Sequence, residues 1–383
     1  MESVQATQNL AQKFTSATPT NVSDNSETYD MVVFCHLRWE FVYQRPQHII
    51  SRMAKSQKIL FIEEPIPHSE SEKNTANFIE VSENIHVLQP KVDSLEDIKN
   101  VIPKYVNNTA IEIGWFYSPS FVVLLDHFSF SKIVYDCMDE LSLFKGAPVQ
   151  LLDQEKFLMS NANIVFTGGK SLYDSKKRLH KNVYCFPSSV DQLHFAKALN
   201  GVEIPADIAN LPHPIVGYFG VIDERLDLEL LNQTAINNPD VSFAMIGPLA
   251  KIHESDLPRP GNIHYLGMKS YEELPGYLKT FSVAMMPFAL NDATKYISPT
   301  KTLEYMAAGK PIISTPIKDV VRDYQHCVTI VESADEFGKA IQYHLENMND
   351  LSLEIAYSEI LERTSWDNTA DKMNLLITKT AKL

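Results

Sequence analysis

Short apolar runs alternate with longer amphipathic stretches along most of the chain, starting at Met31. Runs of Val, Ile and Phe without polar alternation are typical of parallel strands that are covered on both faces. Seven such strands are predicted at Met31–Cys35, Lys58–Ile62, Asn84–Leu88, Ile111–Tyr117, Lys132–Asp136, Asn163–Thr167 and Asn182–Phe186. Helical segments separate most of them, so the pattern predicts βα units and a mainly parallel sheet.

The alternation stops between Ala196 and Pro214 and then resumes as a second α/β series. Its strands are predicted at Ile215–Phe219, Val241–Ile246, Asn262–Leu266, Phe281–Pro287, Pro311–Ser314 and Cys327–Val331. We therefore expect two doubly wound, Rossmann-like α/β domains that face each other across a cleft, where ligands bind at the carboxyl ends of the strands. The predicted divisions are a flexible polar segment 1–30, a first domain 31–200, a linker 201–213, a second domain 214–350, and C-terminal helices 351–383 that could cross back to the first domain.

Composition excludes several classes of protein. The 383 residues carry a net charge of −14, which argues against broad electrostatic binding to nucleic acid. Four scattered cysteines suggest neither a disulfide framework nor a zinc site, and no phosphate-binding G-x-x-x-x-G-K-[ST] motif or convincing metal-binding carboxylate pair occurs. There is no long apolar window and no apolar signal-peptide core, so we expect a cytoplasmic protein without a bound metal or cofactor.

The most informative stretch is "YISPTKTLEYMAAGKPIIST", residues 296–315. It predicts a short helix with Ser298 as cap, Pro299 at the first position and Gly309 at the end. Lys301 and Glu304 are three residues apart and so share one face. A helix N-terminus beside a lysine suits a phosphate, and a carboxylate one turn later can accept hydrogen bonds from two ribose hydroxyls. This indicates a nucleoside diphosphate site; the alternative is an exposed Lys/Glu surface pair.

The same stretch resembles the donor-binding helix of GT-B glycosyltransferases, with its "P-x-K-x-x-E-Y-x-A-x-G-K-P" string. The resemblance implies that Glu304 holds the donor ribose and that Lys301 holds the diphosphate, and it makes Ser298 and Thr300 candidate donor-binding residues. Many retaining members carry a second glutamate eight positions earlier, where this chain has Tyr296. The stereochemical outcome therefore does not transfer.

A glycine turn opens the second domain in "PIVGYFGVIDERLDLELL". Gly220 allows close approach of the backbone to a ligand, and Arg225 lies near the start of the next helix, where phosphate oxygens bind. In GT-B enzymes the corresponding residues contact the donor phosphates, and the resemblance extends to Gly247 and to Tyr271, which would lie near the nucleotide base. The alternative for Arg225 is an ion pair with Asp223 or Asp227.

The segment after the first strand reads "FCHLRWEFVYQRPQHIISRMAK". It resembles a string in bacterial glycosyltransferases of the teichuronic-acid and related polysaccharide type. The resemblance implies acceptor or sugar contacts by Arg38, Trp39, Arg45 and His48, and makes His36 a candidate catalytic group. The alternative is that Trp39 packs and the arginines are solvated.

A candidate base follows a strand in "KIVYDCMDELSLF". Asp139 would lie at the cleft, where an acceptor hydroxyl is deprotonated. Its alternatives are a helix cap or the neighbouring Glu140 in the acidic role. With Asp139 as base the attack is direct and the configuration inverts; if no base is required, the leaving phosphate can assist and the configuration can be retained.

A basic segment from Lys170 to Lys181 contains four lysines and Arg178. Helical spacing could align these charges on one surface, with Leu172 and Leu179 beneath, and such a face attracts anionic lipid headgroups. Peripheral contact with the inner face of the plasma membrane is therefore an expectation; a solvated charge run is the alternative.

Together these motifs predict a metal-independent GT-B glycosyltransferase. The resemblance implies transfer of a sugar from a nucleotide-sugar, most often UDP-linked, to a saccharide or lipid-linked acceptor in envelope polysaccharide synthesis. The alternatives are a nucleotide-sugar epimerase of the same architecture and a non-catalytic sugar-nucleotide binding subunit.

Overall fold

Two sheets follow one another along the chain in the computed structural model, which describes residues 27–108, 110–348 and 350–381. Most of the predicted flexible segment, residues 1–26, lies outside the described residues. Its last residues are packed: Tyr29 is buried, and its hydroxyl is 2.8 Å from Nδ1 of His86. The first domain therefore includes residues from 27 onward.

The first sheet has eight strands in the spatial order β3-β4-β2-β1-β5-β6-β7-β8. These strands are β1 (Met31–Cys35), β2 (Ile59–Glu63), β3 (Thr75–Ser82), β4 (Ile85–Lys91), β5 (Ala110–Phe116), β6 (Ser129–Cys137), β7 (Ile164–Thr167) and β8 (Val183–Cys185). All neighbours pair in parallel except β3, which is antiparallel to β4. The sequence pattern missed β3 because this edge strand is half exposed and lacks a continuous apolar run.

The second sheet has six parallel strands in the order β11-β10-β9-β12-β13-β14. They are β9 (Ile215–Phe219), β10 (Ser242–Ile246), β11 (Ile263–Gly267), β12 (Val283–Met286), β13 (Ile312–Ser314) and β14 (Thr329–Ile330). Their central members are buried along their whole length, as their Val/Ile/Met-rich sequences predict.

Twelve α-helices connect and cover the sheets in the described part of the chain. They are α1 (Arg45–Met53), α2 (Leu151–Asn161), α3 (Lys170–Lys176), α4 (Gln192–Phe195), α5 (Ala206–Ala209), α6 (Leu228–Asn237), α7 (Leu274–Thr280), α8 (Lys301–Ala307), α9 (Lys318–Tyr324), α10 (Ala334–Glu346), α11 (Leu351–Leu361) and α12 (Trp366–Lys379). None of the described helices is long and apolar enough to span a bilayer.

The boundary between the domains lies earlier than the predicted linker 201–213. Val190, Phe195 and Ile208 are buried in the hydrophobic core of the second domain, so the chain has already crossed over before residue 201. These apolar residues are too few and too irregularly spaced to show a helix or strand period, but they are still buried in the core of the second domain. At the other end, α11 packs on the second domain, whereas α12 returns to the first and buries Trp366 beside α1.

The topology determines where a ligand can bind. In each sheet the chain leaves the first strand of the domain toward one side and later returns to pair on its other side. β1 lies between β2 and β5, and β9 lies between β10 and β12. A crevice forms outside the carboxyl ends of the strands at such a switch point. The loops after β1, β6, β9 and β12 therefore line the space between the domains.

Candidate functional site

The helix α8 begins later than predicted. Its first residue is Lys301, and Thr300 precedes it without a capping hydrogen bond from its side chain. Ser298 does not cap: its backbone carbonyl instead accepts a hydrogen bond of 2.7 Å from the hydroxyl of Ser188. The chain before Lys301 forms a tighter turn, in which the amides of Thr302 and Leu303 donate to the carbonyls three residues earlier instead of four. Gly309 ends the helix with φ +64°, as expected.

Lys301 and Glu304 lie together on α8, beside the glycine turn that follows β9. Glu304 is only 7% exposed, and burial raises the pKa of its carboxyl while the Lys301 ammonium opposes that shift. Burial likewise lowers the pKa of Lys301, and its Nζ lies 5.4 Å from the centre of the Tyr218 ring. Among the described residues, none donates a hydrogen bond to the Glu304 carboxylate. A largely buried carboxylate with free acceptor positions needs hydrogen-bond donors from solvent or from a ligand.

Two glycines bring the backbone close to this pair. Gly220 follows β9 with φ +136°, and a Cβ there would lie 2.2 Å from Cε of Lys301. Gly247 follows β10 with φ +146°, and a Cβ there would lie 1.9 Å from the carbonyl oxygen of Gly220. Only glycine satisfies both the backbone conformation and the space.

Arg225 forms the ion pair that was the alternative to its phosphate role. Its Nε lies 3.0 Å from both carboxylate oxygens of Asp223, and its Nη2 lies 2.7 Å from Oδ2. The pair leaves the other edge of the guanidinium for a ligand. Asp223 thus orients Arg225 at the same end of the sheet as Gly220.

Asp139 lies in the first domain and faces these second-domain charges. Burial raises the pKa of its carboxyl to about 6, Arg225 opposes that shift, and Asp223 adds to it. The carbonyl of Asp139 is held by the thiol of Cys137 at 3.6 Å. Such a pKa suits a general base near neutral pH.

His36 follows β1 at the same edge of the cleft. Its Nδ1 is buried and has no hydrogen-bond partner among the described residues. Burial lowers its pKa to about 4, and the positive charge of Lys251 acts in the same direction. His36 is therefore a neutral imidazole near pH 7.

The other residues of the first-domain string mostly build the scaffold. Arg45 is a correction: it is 4% exposed and its guanidinium donates to the fully buried Asp136 at 2.8 to 3.1 Å and to the carbonyl of Phe186 at 2.8 Å. The guanidinium is therefore held inside the first domain by a carboxylate and a carbonyl of that domain. The buried carboxylate of Asp136, which is 91 positions away in the sequence, needs a cationic partner, and Arg45 is that partner.

Arg38 and Trp39 are held in a loop by one buried carboxylate. Glu63 accepts from Nη1 of Arg38 at 3.1 Å and from the backbone of Trp39 at 2.7 Å. The Trp39 ring packs edge-on against Phe61 at 5.1 Å, which is the packing alternative. Arg38 also donates to the carbonyl of Pro65.

His48 and Tyr271 belong to an aromatic cluster that joins the domains. His48 stacks on Trp366 at 4.8 Å and lies 5.4 Å from Tyr271, which itself stacks on His194 at 4.1 Å. The Tyr271 hydroxyl is buried without a hydrogen-bond partner among the described residues, and burial followed by the Glu304 charge raises its pKa. Tyr271 therefore lies near Glu304 of α8, and one face of its ring is covered by His194.

Sequence reasoning missed a contact across the cleft. The ring of Phe144, in the loop after β6, lies 4.5 Å from Nζ of Lys251 and 5.7 Å from the guanidinium carbon of Arg225. The next amide, that of Lys145, donates to the Glu224 carboxylate at 3.1 Å. Lys251 has the unusual φ of +61°, for which no sequence signal exists. These residues place second-domain cations over the Asp139 loop.

The basic segment does not form one surface. Lys176 is buried against Glu140 and Glu155, Lys170 pairs with Asp323, and Lys177 pairs with Asp174. Leu172 is buried, but Leu179 is 63% exposed rather than beneath the charges. The segment is short and its helix ends at Lys176, so the helical alignment that the prediction needed does not continue.

No group of three or more His, Cys, Asp or Glu side chains that could hold a metal ion occurs among the described residues.

Comparisons with known proteins agree with this architecture. Residues 214–347 match the family model described as glycosyl transferases group 1. A curated relative, TuaH of Bacillus subtilis (strain 168), is 26% identical over 247 residues, which are 60% of this chain and 60% of the relative. The name of that relative describes it as a putative glycosyltransferase of teichuronic acid biosynthesis. The chain thus spans about 60% of the length of the curated relative it matches.

Solved structures match over nearly the whole chain. Sucrose-phosphate synthase from Thermosynechococcus elongatus has a TM-score of 0.66 at 16% identity and covers 91% of this chain and 98% of its own. Trehalose-6-phosphate synthase OtsA has a TM-score of 0.67 at 12% identity, with 92% and 100% covered. Anabaena HepE in complex with UDP-glucose has a TM-score of 0.63 at 10% identity, with 91% and 99% covered. The chain has the GT-B fold of these enzymes, so the predicted fold class is confirmed.

Proposed function

We propose that this protein is a glycosyltransferase that moves a sugar from a UDP-sugar to a saccharide or lipid-linked acceptor in polysaccharide biosynthesis. The observation that carries the proposal is Glu304, a buried carboxylate whose acceptor positions no described residue fills. The match of residues 214–347 to a glycosyltransferase family supports it, as do the UDP-glucose complex of one structural neighbour and the name of the curated relative.

In the second domain, Glu304 would accept hydrogen bonds from two ribose hydroxyls. Lys301 and the free edge of Arg225 would neutralise the diphosphate as it leaves, while Gly220 lets the backbone approach its oxygens. Two protein cations make a metal ion unnecessary for this step, and we propose a metal-independent reaction. Activity that survives EDTA treatment and is not restored above that level by Mg²⁺ or Mn²⁺ is the expected result.

In the first domain, Asp139 would remove the proton of the attacking hydroxyl as the new bond to the anomeric carbon forms. The sugar–phosphate bond breaks at the opposite face, so attack assisted by Asp139 inverts the configuration. Neutral His36 is half-buried at the same edge of the cleft and would contact the sugar or the acceptor with the exposed part of its ring. Contact with anionic lipid by the exposed Arg178 and Lys181 remains part of the proposal only for a lipid-linked acceptor.

The first experiment is a thermal-shift panel of UDP-, GDP-, ADP- and dTDP-sugars with wild-type protein, Glu304→Gln and Glu359→Gln. Glu359 is an exposed glutamate on α11 of the same domain, so it controls for loss of one carboxylate. A ligand at a hundred times its dissociation constant adds about 2.7 kcal/mol, a visible shift. We expect a shift with UDP-sugars for wild type and Glu359→Gln, and a dissociation constant raised about 10- to 100-fold for Glu304→Gln.

An equal UDP-sugar shift in Glu304→Gln would contradict the ribose role. Incubation of a bound donor without acceptor tests the epimerase alternative, because an epimerase interconverts the sugar under those conditions. Donor binding without turnover across a panel of saccharide and lipid-linked acceptors would instead favour the non-catalytic alternative.

A further inference from the structure

A buried contact joins the two domains at the start of α3. Asp319, on α9 of the second domain, accepts hydrogen bonds from the backbone amide of Ser171 at 3.0 and 3.2 Å and also from the Ser171 hydroxyl. Both residues are at most 2% exposed. Gly169 makes the approach possible, since a Cβ there would lie 2.7 Å from Oδ2 of Asp319. The first turn of α3 is therefore capped by a carboxylate from the opposite domain.

The other end of α3 holds the segment that carries Asp139. Lys176 is 4% exposed, and its Nζ lies 2.9 Å from Oε1 of Glu140 and 2.7 Å from both carboxylate oxygens of Glu155. Glu140 directly follows Asp139, so this ion pair anchors the loop immediately beside the candidate base. Glu155 is fixed in turn by the hydroxyl of Tyr135 at 2.8 Å.

The connection between these two contacts is short. Seven residues of helix rise only about 10 Å. Leu172, between the two ends, is fully buried in the first-domain core, which restricts α3 to small movements. The remaining contacts between α3 and α9 are the Lys170–Asp323 and Arg322–Asp174 pairs, which are partly exposed and so contribute less. Asp319 is thus the main buried polar contact between α9 and α3.

We propose that α3 couples closure of the two domains to the position of Asp139, with Asp319 and Lys176 as positioning residues. The proposal rests on the proposed function in that Asp139 acts as base. When the domains are closed, Asp319 completes the first turn of α3, and Lys176 holds Glu140 and the Asp139 loop in place. When they separate, Ser171 loses its acceptor, the short helix loosens, and Asp139 gains solvent. The base is then correctly placed only when the donor domain is docked, which limits transfer of the sugar to water.

Hydrogen exchange of the Asp139 loop tests the coupling without any need for activity. The full-length protein and two variants, Asp319→Ala and Asp323→Ala, are compared by mass spectrometry of peptides that cover residues 138–144. This segment contains the amides of Leu143 and Phe144, which bond within a short turn. We expect about tenfold faster exchange in Asp319→Ala and no change in Asp323→Ala, which removes only the outer pair. Equal exchange in wild type and Asp319→Ala would overturn the proposal.

Kinetics supply the second readout. Asp319→Ala should lower kcat about 10- to 100-fold, as expected for a displaced catalytic group, while the donor KM stays within about threefold. The acidic limb of the kcat profile should also move to lower pH. Asp139 faces Arg225, Asp223, Arg45 and Lys251, and added solvent weakens the burial that holds its pKa high. A lower kcat with an unmoved acidic limb would indicate general damage and overturn the coupling.

A double variant completes the test. Because Asp319 contacts one end of α3 and Lys176 lies at the other, independent roles would make the effects of Asp319→Ala and Lys176→Met multiply. We expect instead that Asp319→Ala adds little to Lys176→Met. If Lys176→Met does not fold, since it leaves Glu140 and Glu155 unpaired, Glu140→Gln replaces it in the cycle. If wild-type protein transfers no sugar, the proposed function fails, but the exchange comparison still decides the coupling.

Discussion

The side chain of Lys301 packs directly against the backbone of Gly220, the residue that follows β9. A Cβ at Gly220 would lie only 2.2 Å from Cε of Lys301. The contact brings together two motifs that are 81 positions apart in the sequence, and the proposed function assigns both to the donor diphosphate.

Gly220→Ala should therefore displace Lys301 as well as strain the backbone. At φ +136° the strain costs about 1–3 kcal/mol of unfolding free energy, and donor affinity should fall about tenfold or more with the loss of an aligned cation. Denaturant unfolding and donor titration measure the two effects. Gly201→Ala is the control, because Gly201 has φ +80° with nothing within 4 Å of its Cβ position. Equal donor affinity in both variants would contradict the arrangement.

Asp139→Asn should reduce transfer about 10²- to 10⁴-fold and leave donor binding unchanged, because only the proton acceptor is lost. In wild type, kcat/KM should rise with pH through about 6, the pKa to which burial raises this carboxyl. Initial-rate profiles over pH check both statements. Near-normal turnover in Asp139→Asn would remove the residue from catalysis and direct attention to Glu140.

The same carboxyl predicts a pH dependence of stability. Its pKa is higher in the folded than in the unfolded protein, so folding binds a proton between the ordinary pKa of aspartate and about 6, and stability falls as pH rises through that window. Asp139→Asn lacks this term. Its melting midpoint should exceed that of wild type above about pH 7 and match it below about pH 4, as read from thermal melts. A constant difference across the range would contradict the assignment.

Phe144→Leu should weaken closure over the Asp139 loop. Leucine keeps much of the apolar volume but removes the ring face that meets Lys251 and Arg225, an interaction of about 0.5–2 kcal/mol. We expect kcat/KM to fall about 2- to 30-fold, with unfolding free energy nearly unchanged. Phe157→Leu, at an exposed phenylalanine on α2 of the same domain, is the matched control and should have no kinetic effect.

Arg45→Met separates a structural from an acceptor-binding role. The pair with Asp136 is buried, so removal of the cation leaves the Asp136 carboxylate buried without a partner. This should lower the unfolding free energy by about 3–5 kcal/mol. Addition of Asp136→Asn should recover part of that loss. A stable Arg45→Met variant with a raised acceptor KM would instead support the original acceptor prediction. Urea unfolding and acceptor titration distinguish the two.

Local patterns predicted most of the elements because strand and helix periods depend on near neighbours. Thirteen strands were expected, and the described residues contain those thirteen regions plus β3, whose half-exposed positions carry no apolar run. Cap placement was less secure. Ser298 has the right chemistry for an N-cap, but its carbonyl bonds to Ser188, a residue 110 positions away.

Within the site, the i, i+3 spacing was enough to predict that Lys301 and Glu304 share a face. The alternative, an exposed pair, does not fit the burial of Glu304, which depends on how β9 and β12 pack beside α8. The partners of charged side chains were not predictable in the same way. Arg225 has Asp223 two positions away, whereas Arg45 finds Asp136 and Ser171 finds Asp319 from 91 and 148 positions away.

The amino-acid sequence by itself determined the two α/β domains, the glycine turns and the charged face of α8, because each depends on residues within a few positions of one another. Only the tertiary structure decided that Arg45 belongs to the interior, that Phe144 meets Lys251 and Arg225, and that Asp319 caps α3. Each of these depends on which strand ends the fold brings together. The free energy of a charged side chain depends on its partner and on its access to solvent, and the neighbouring residues in the sequence determine neither.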